Sequence, residues 1–125
     1  MHTVHTDRAP AAIGPYSQAV VAGSYLFSAG QIALVPETGE LATSDVQGQA
    51  RQVFLNLQAV LEEAGLGFAD VVKTTVYLVD MDEFPLVNAV YAEHFTEPYP
   101  ARSTVAAAGL PKGARVEIDV VAQLR

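Results

Sequence analysis

The segment that most constrains the fold is an uninterrupted β-prone run near the middle of the chain. It extends from Val71 to Val79 and reads VVKTTVYLV. β-Branched and aromatic residues of this kind favour an extended, pleated backbone. Apolar side chains occupy both alternating phases of the run, which is typical of a strand covered on both faces of its sheet. The sequence therefore predicts a central strand with material packed on each side of it.

Four further features predict the remaining strands. Two β-prone runs, Gln18–Val21 and Ser24–Ile32, lie near the start of the chain. Gly23 falls between them, so we expect a hairpin in which this glycine takes the unusual backbone angles. A short Thr- and Val-rich run begins at Arg102. The last run, Arg115–Leu124, alternates between apolar and polar residues, and this alternation predicts one core face and one outward face.

Two stretches have the periodicity of helices. Ser44 and Gln47 have the spacing of a capping box, and apolar residues follow at helical intervals until Gly65. Asp82 predicts the cap of a second helix, which should extend to about Phe95. The order strand, strand, helix, strand, helix, strand, strand predicts an α+β fold. We expect a single domain over residues 1–125, with two helices packed on one face of a mixed β-sheet.

Two helices leave the second face of such a sheet bare. The Val71–Val79 run is apolar in both phases, and half of all residues are hydrophobic, so this second face should also be buried. Association of identical subunits in a closed ring is the most economical solution. Binding sites would then lie at the junctions between subunits.

Composition excludes several classes of function. The chain has no cysteine, so disulfides, thiolate metal sites and cysteine nucleophiles are excluded. His2, His5 and His94 do not have the spacing of a ligand set, so no metal site is predicted. Neither glycine-rich phosphate-binding motif occurs, so no cofactor is expected. Seven basic residues stand against 14 acidic ones, for a net charge of −7, which argues against nucleic acid as a partner.

The sequence also lacks membrane and secretion signals. No apolar run approaches the roughly 18 residues of a membrane span. The start of the chain, Met1–His5, lacks the basic region and apolar stretch of a secretion signal. We therefore expect a cytoplasmic protein that has no membrane partner.

The residues with the most chemical potential are Arg102 and Glu117, on strands that we predict to be neighbours. Arginine offers a planar fork for a carboxylate or phosphate, and glutamate can hold or activate a water molecule. On residue type alone, an exposed cross-strand ion pair of small energetic value is the favoured interpretation. Gly30 marks either simple sheet packing or a close approach by a ligand or backbone. Asn88 is either an exposed helix residue or part of a site.

Several segments together resemble one known family. They are Ala9–Gln18, Ser28–Gln31, Val72–Leu78, Val87–Tyr91, Pro100–Val105 and Val116–Ile118. The chain is similar in these segments to the reactive intermediate deaminase family, also called the YjgF/YER057c/UK114 family. The spacing from Pro-Ala-Arg-Ser to Val-Glu-Ile is the most specific part. The resemblance implies a chorismate-mutase-like α+β fold, a homotrimer and active sites in the clefts between subunits.

The resemblance also implies an activity. Family members of the archetypal kind hydrolyse 2-imino acids or their enamine tautomers, such as 2-aminoacrylate, 2-iminopropanoate and 2-iminobutanoate, to 2-keto acids and ammonia. Arg102 would bind the substrate carboxylate, and Glu117 would position or activate the water. The other substrate-binding positions would be Tyr16, Gly30, Asn88 and Thr104.

Two departures from the family pattern bear on substrate preference. Ala29 stands where archetypal members often have serine, and the Phe95–Pro100 loop is shorter than in some members. A non-catalytic binder of small carboxylates, regulating a partner through the same cleft, would keep Arg102 without needing Glu117. RNA cleavage is a third alternative, which the net charge of −7 disfavours.

Overall fold

A computed structural model describes all 125 residues, which form one six-stranded sheet and two α-helices. The strands are β1 (His2–Val4), β2 (Ala19–Ala22), β3 (Tyr25–Ser28), β4 (Val71–Leu78), β5 (Ala101–Ala106) and β6 (Val116–Gln123). The helices are α1 (Val46–Glu63) and α2 (Phe84–Tyr91). The predicted α+β class is confirmed.

The sheet is mixed, with the strand order β1-β2-β3-β6-β4-β5. Every neighbouring pair is antiparallel except β4 and β5, which are parallel. A parallel pair needs a crossover connection, and α2 lies in the connection between these two strands. The Val71–Val79 run is therefore an internal strand, with β6 on one side and β5 on the other.

The core lies between the two helices and one face of the sheet. Phe54 of α1 is fully buried and packs edge-on against Tyr91 of α2, with ring centres 5.9 Å apart. In β6, Val116, Ile118 and Val120 are buried at alternate positions, as the sequence predicts. Because successive strand residues point to opposite faces, the intervening Glu117 and Asp119 lie on the face away from the helices.

We call that second face the open face. It carries Tyr25, Phe27 and Val105, whose exposed fractions are 40%, 44% and 43%. The two helices do not cover it, so the prediction of a bare face is confirmed. Its burial by association of subunits stays a prediction.

The start of α1 differs from the predicted capping box. Asp45, not Ser44, is the N-cap, and its carboxylate accepts the backbone N–H of Gly48 at 2.8 Å. Gln47 does not reach back to the cap, because its side chain donates to the Leu86 carbonyl of α2 at 3.3 Å. The helix ends as predicted, with Gly65 at a φ of +75° just beyond it.

The second helix is shorter than predicted. Asp80 caps a 3₁₀ turn at Met81–Glu83, and α2 begins only after that turn. Beyond Tyr91, the backbone N–H groups of Glu93 and His94 bond to carbonyls three residues back, so the α-helical geometry has already ended. The predicted cap at Asp82 and extension to Phe95 were wrong. Neither helix combines the length and hydropathy that a membrane crossing requires.

The predicted hairpin is present, but its second strand is short. Gly23 has a φ of +60°. Strand β3 stops at Ser28, because the Ser28 hydroxyl, not a backbone carbonyl, accepts the N–H of Val120 at 2.9 Å. Pairing with β6 resumes only at Gln31, opposite Ile118. Ala29 and Gly30 therefore lie outside regular pairing.

Candidate active site

Arg102 lies on the edge strand β5 and turns its side chain toward α2. Its Nη1 donates to Asn88 Oδ1 at 2.7 Å. The guanidinium carbon lies 4.7 Å from the centre of the Tyr91 ring and 5.1 Å from that of Phe84. Cation–π attraction holds a guanidinium against aromatic faces at such distances. The arginine is thus fixed by neutral groups before any ligand binds.

The remaining donors of Arg102 are unpaired. Its only side-chain hydrogen bond is the one to Asn88, and it joins none of the ion pairs of the chain. The cross-strand ion pair with Glu117, which residue type alone favoured, is absent. Nε and Nη2 are therefore available to a planar anion such as a carboxylate.

An open cleft surrounds this guanidinium. It has a volume of about 430 Å³ and is lined by Asn88, Tyr91, Ala92, Tyr99, Pro100 and Arg102. Tyr99 is 63% exposed, so its ring is free to contact a bound molecule. We call this the arginine cleft.

Glu117 lies on the open face, with its carboxyl group packed over Gly30. A Cβ added to Gly30 would lie only 2.7 Å from Cδ of Glu117 and would overlap the carboxylate itself. Residue 30 must therefore be glycine to leave room for the side chain of Glu117. Burial is the main cause that raises the pKa of Glu117, and the negative charge of Asp119 raises it further.

A second cleft, the glutamate cleft, has a volume of about 510 Å³. Ile13, Tyr16, Ala29, Gly30, Lys112 and Glu117 are among its lining residues. Ala29 offers no hydroxyl there. No group of three or more His, Cys, Asp or Glu side chains converges to hold a metal ion.

The segment that carries Tyr16 forms one wall of this cleft, and the buried side-chain amide of Gln18 holds it in place. Gln18 accepts the N–H of Thr6 at 2.7 Å and donates to the carbonyls of Thr6 and Pro10 at 3.0 and 2.8 Å. These bonds fasten the proline-containing segment before Tyr16 to the sheet. Sequence reasoning missed this residue, because a lone glutamine in a strand has no distinctive local pattern.

The sheet separates Arg102 from Glu117 within one chain. Arg102 pairs with Thr74, and Glu117 pairs with Tyr77, so β4 lies between their strands. The prediction that these strands are neighbours was wrong. With adjacent strands about 4.8 Å apart, the two residues lie two strand spacings and three residues apart along β4. Their side chains also point to opposite faces.

The predicted site residues therefore fall into two groups. Asn88 and Thr104 lie with Arg102 on the helix-covered face, where Thr104 pairs with the buried Val76. Tyr16 and Gly30 lie with Glu117 in the glutamate cleft. Tyr91 and Tyr99 were missed as site residues. The one local signal was that Tyr91 lies three residues after Asn88 on the same helix.

Known proteins match the chain over nearly its whole length. Residues 6–124 match the family described as Endoribonuclease L-PSP. The 2-iminobutanoate/2-iminopropanoate deaminase of Salmonella typhimurium is 48% identical over 126 residues, covering 98% of each chain. The crystal structure of RidA from an Antarctic Psychrobacter has a TM-score of 0.95 at 45% identity, covering 99% of this chain and 100% of that one. Escherichia coli TdcF with bound serine has a TM-score of 0.93 at 43% identity, with full coverage of both chains.

The fold and the two clefts describe a small α+β protein with a cationic cleft on one side of a mixed sheet and an acidic cleft on the other. The extent of the matches makes the family assignment direct. The chain belongs to the reactive intermediate deaminase family, as the sequence resemblance indicated.

Proposed function

We propose that this chain hydrolyses reactive 2-imino acids and their enamine tautomers, including 2-aminoacrylate, 2-iminopropanoate and 2-iminobutanoate, to 2-keto acids and ammonia. The observation that carries the proposal is the Arg102 guanidinium, which Asn88 and two aromatic rings hold while Nε and Nη2 remain free. That arrangement suits the carboxylate which every 2-imino acid carries. The name of the Salmonella relative supports the same chemistry.

The active site would be shared between two copies of the chain in a homotrimer. A carboxylate held by Arg102 lies on the opposite face of the sheet from Glu117 of the same chain. A second copy can supply its own glutamate cleft to the arginine cleft of the first. The apolar residues Tyr25, Phe27 and Val105 on the open face also require a cover. One contact between copies would meet both requirements.

The site needs no cofactor for this reaction. Arg102 holds the acid end of the substrate and so fixes C2 relative to the neighbouring copy. Water adds to C2 of the protonated imine, and Glu117 takes a proton from that water. The resulting carbinolamine loses ammonia as its hydroxyl becomes the keto group.

Keto-acid release tests the proposal. An amino-acid oxidase or a serine or threonine dehydratase generates the imine in the same cuvette, and the rate with this protein is compared with the rate in free solution. Arg102→Ala should reduce the rate to that of free solution. Arg51→Ala is the matched control, because Arg51 is exposed and its one ion pair is with Glu93, at 3.5 Å. A chain with no rate above free solution would overturn the proposal.

Mixing variants tests the shared site. Arg102→Ala and Glu117→Gln chains are each expected to be inactive alone. After unfolding and refolding together, mixed trimers would contain junctions that pair an intact Arg102 with an intact Glu117. Partial recovery of activity supports the shared site, and no recovery from correctly assembled mixtures contradicts it.

A non-catalytic carboxylate binder is the second candidate. The TdcF structure with bound serine favours it, because serine carries a carboxylate but is not an imine. In that case calorimetric titration with pyruvate should show binding that depends on Arg102 and is unchanged by Glu117→Gln. No turnover would be seen in the unmodified chain.

A further inference from the structure

The centre of the open face is polar, although Tyr25, Phe27 and Val105 near its margins are apolar. Six polar side chains lie there on three adjacent strands, and we call them the polar patch. They are Lys73, Thr75 and Tyr77 of β4, Ser103 of β5, and Glu117 and Asp119 of β6. Apart from Glu117, none of them has a role in the proposed reaction so far.

The strand register brings the two carboxyl groups of the patch together. Glu117 lies opposite Tyr77, and Asp119 lies opposite Thr75. Residues two apart on a strand share a face and lie about 7 Å apart along it. Both side chains are half-buried. Glu117 therefore belongs both to the patch and to the glutamate cleft.

The surroundings of these two carboxyl groups differ. Burial raises the pKa of Asp119, but Tyr77, Lys73 and Thr75 oppose this by stabilising its charged form. Burial raises the pKa of Glu117 as well, the charge of Asp119 adds to the effect, and no neighbour opposes it. The charge of Asp119 is also the main cause that raises the pKa of Tyr77. Of the pair, only Asp119 has neighbours that stabilise its charged form.

We propose that Asp119 is a positioning residue whose negative charge favours the protonated form of Glu117 in the substrate-free site, so that Glu117 can act as the acid in the first step of the reaction. This inference rests on the proposed deaminase function. Besides Asp119, the charged or titratable groups that face Glu117 are Tyr77 and Lys73 on β4 and, across the glutamate cleft, Tyr16 and Lys112. Each ammonium group donates to a neutral acceptor rather than to Glu117, and neither lysine is among the causes that shift the pKa of Glu117. Lys73 donates to the Ser103 hydroxyl at 3.1 Å, and Lys112 donates to the Gly39 carbonyl at 3.2 Å.

A protonated Glu117 accounts for every proton of the reaction. It first donates its proton to the imine nitrogen, or to C3 of an enamine, and the product is an iminium ion. Water then adds to C2 and returns a proton to Glu117. The acid next protonates the amino group of the carbinolamine. Finally the C–N bond breaks, the hydroxyl proton returns to Glu117 as the C=O bond forms, and ammonia leaves.

Asparagine at position 119 tests the inference, because it removes the charge and nearly preserves the shape. In Asp119→Asn, the loss of activity on the basic side of the kcat/KM profile should move to lower pH by about 0.5 to 2 units, as expected for two charges at this separation. Asp119→Glu should restore the original profile. Asp7→Asn, which removes an exposed charge at the N-terminal end of the chain, is the matched control and should leave the profile unchanged.

A measurement without substrate separates this inference from the proposed function. The carboxyl ¹³C resonance of Glu117, followed against pH by NMR, should titrate at lower pH in Asp119→Asn than in the unmodified chain. Because Asp119 ionises while Glu117 still holds its proton, Glu117→Gln should leave the midpoint of Asp119 nearly unchanged. Asp119→Ser, which also removes the charge, keeps the test decisive if Asp119→Asn does not fold. An unchanged Glu117 midpoint in a folded Asp119 variant would overturn this inference, whereas a chain without turnover would overturn the proposed function.

Discussion

At the scale of residues, the two central side chains are held by different means. Arg102 is fixed by an amide and two aromatic rings, none of which neutralises its charge. The Glu117 carboxyl group fits where it does only because residue 30 is glycine and has no side chain. The arginine therefore depends on attractive contacts, and the glutamate depends on free space.

This difference makes Gly30→Ala an informative change. The added methyl group would occupy the position of the Glu117 carboxylate, so Glu117 must move. We expect kcat/KM for keto-acid release to fall by about 100-fold, a typical cost of misplacing a catalytic group by about 1 Å. Gly67→Ala is the control, because a Cβ there meets nothing within 4 Å. Unchanged turnover in Gly30→Ala would mean that the position of Glu117 does not matter.

At the scale of elements, the walls of the clefts come from segments with no regular structure. The segment before Tyr16 contains Pro10 and Pro15 and pairs with no strand. It is held instead by the buried carboxamide of Gln18, which bonds to Thr6 and Pro10. The side chain of Gln18, just before β2, thus positions one wall of the glutamate cleft.

Gln18→Leu should therefore affect both stability and binding. Leucine removes the Gln18 partner of the Thr6 N–H and of the carbonyls of Thr6, Ala9 and Pro10, and we expect the free energy of unfolding to fall by about 1 to 3 kcal/mol. KM should rise more than kcat falls, because Tyr16 loses its fixed position. Urea unfolding and steady-state kinetics measure the two effects, and the exposed Gln58→Leu serves as control. Lower stability with an unchanged KM would show that this segment does not contribute to substrate binding.

At the scale of the whole molecule, the exposed apolar residues of the open face favour the proposed association of subunits. Phe27 and Tyr25 of β3 are each at least 40% exposed, and the adjoining polar patch has partners only within itself. A cover formed by other copies would bury both regions. It would also bring the arginine cleft of one copy to the glutamate cleft of the next.

Phe27→Glu should disrupt this assembly. A charge buried without a partner is costly, so the variant should sediment as a single 13.3 kDa chain, whereas the unmodified protein should have three times that mass. Activity should disappear together with the trimer. Leu55→Glu on the exposed side of α1 is the control, since that leucine is 57% exposed and lies away from the open face. An unmodified chain that sediments as a monomer would contradict the prediction.

Local patterns accounted for most of the fold and for the identity of the candidate residues. Strands β4 and β6 and helix α1 were predicted because periodicity is a property of neighbouring residues. Predictions failed where a nonlocal contact decided the outcome. Asp45 rather than Ser44 caps α1, while Gln47 turns away to α2. Strand β3 ends early because the Ser28 side chain takes the place of a backbone partner.

The sequence by itself determined the α+β class, the bare sheet face, the family, and the choice of Arg102 and Glu117. Only the tertiary structure decided how these two residues relate. The insertion of β4 between β5 and β6 places them on opposite faces of the sheet, and no local pattern records which strand enters between two others. The same register puts Asp119 and Tyr77 beside Glu117. Pairing between distant segments is set by the packing of the whole sheet, so it emerges only when the chain folds.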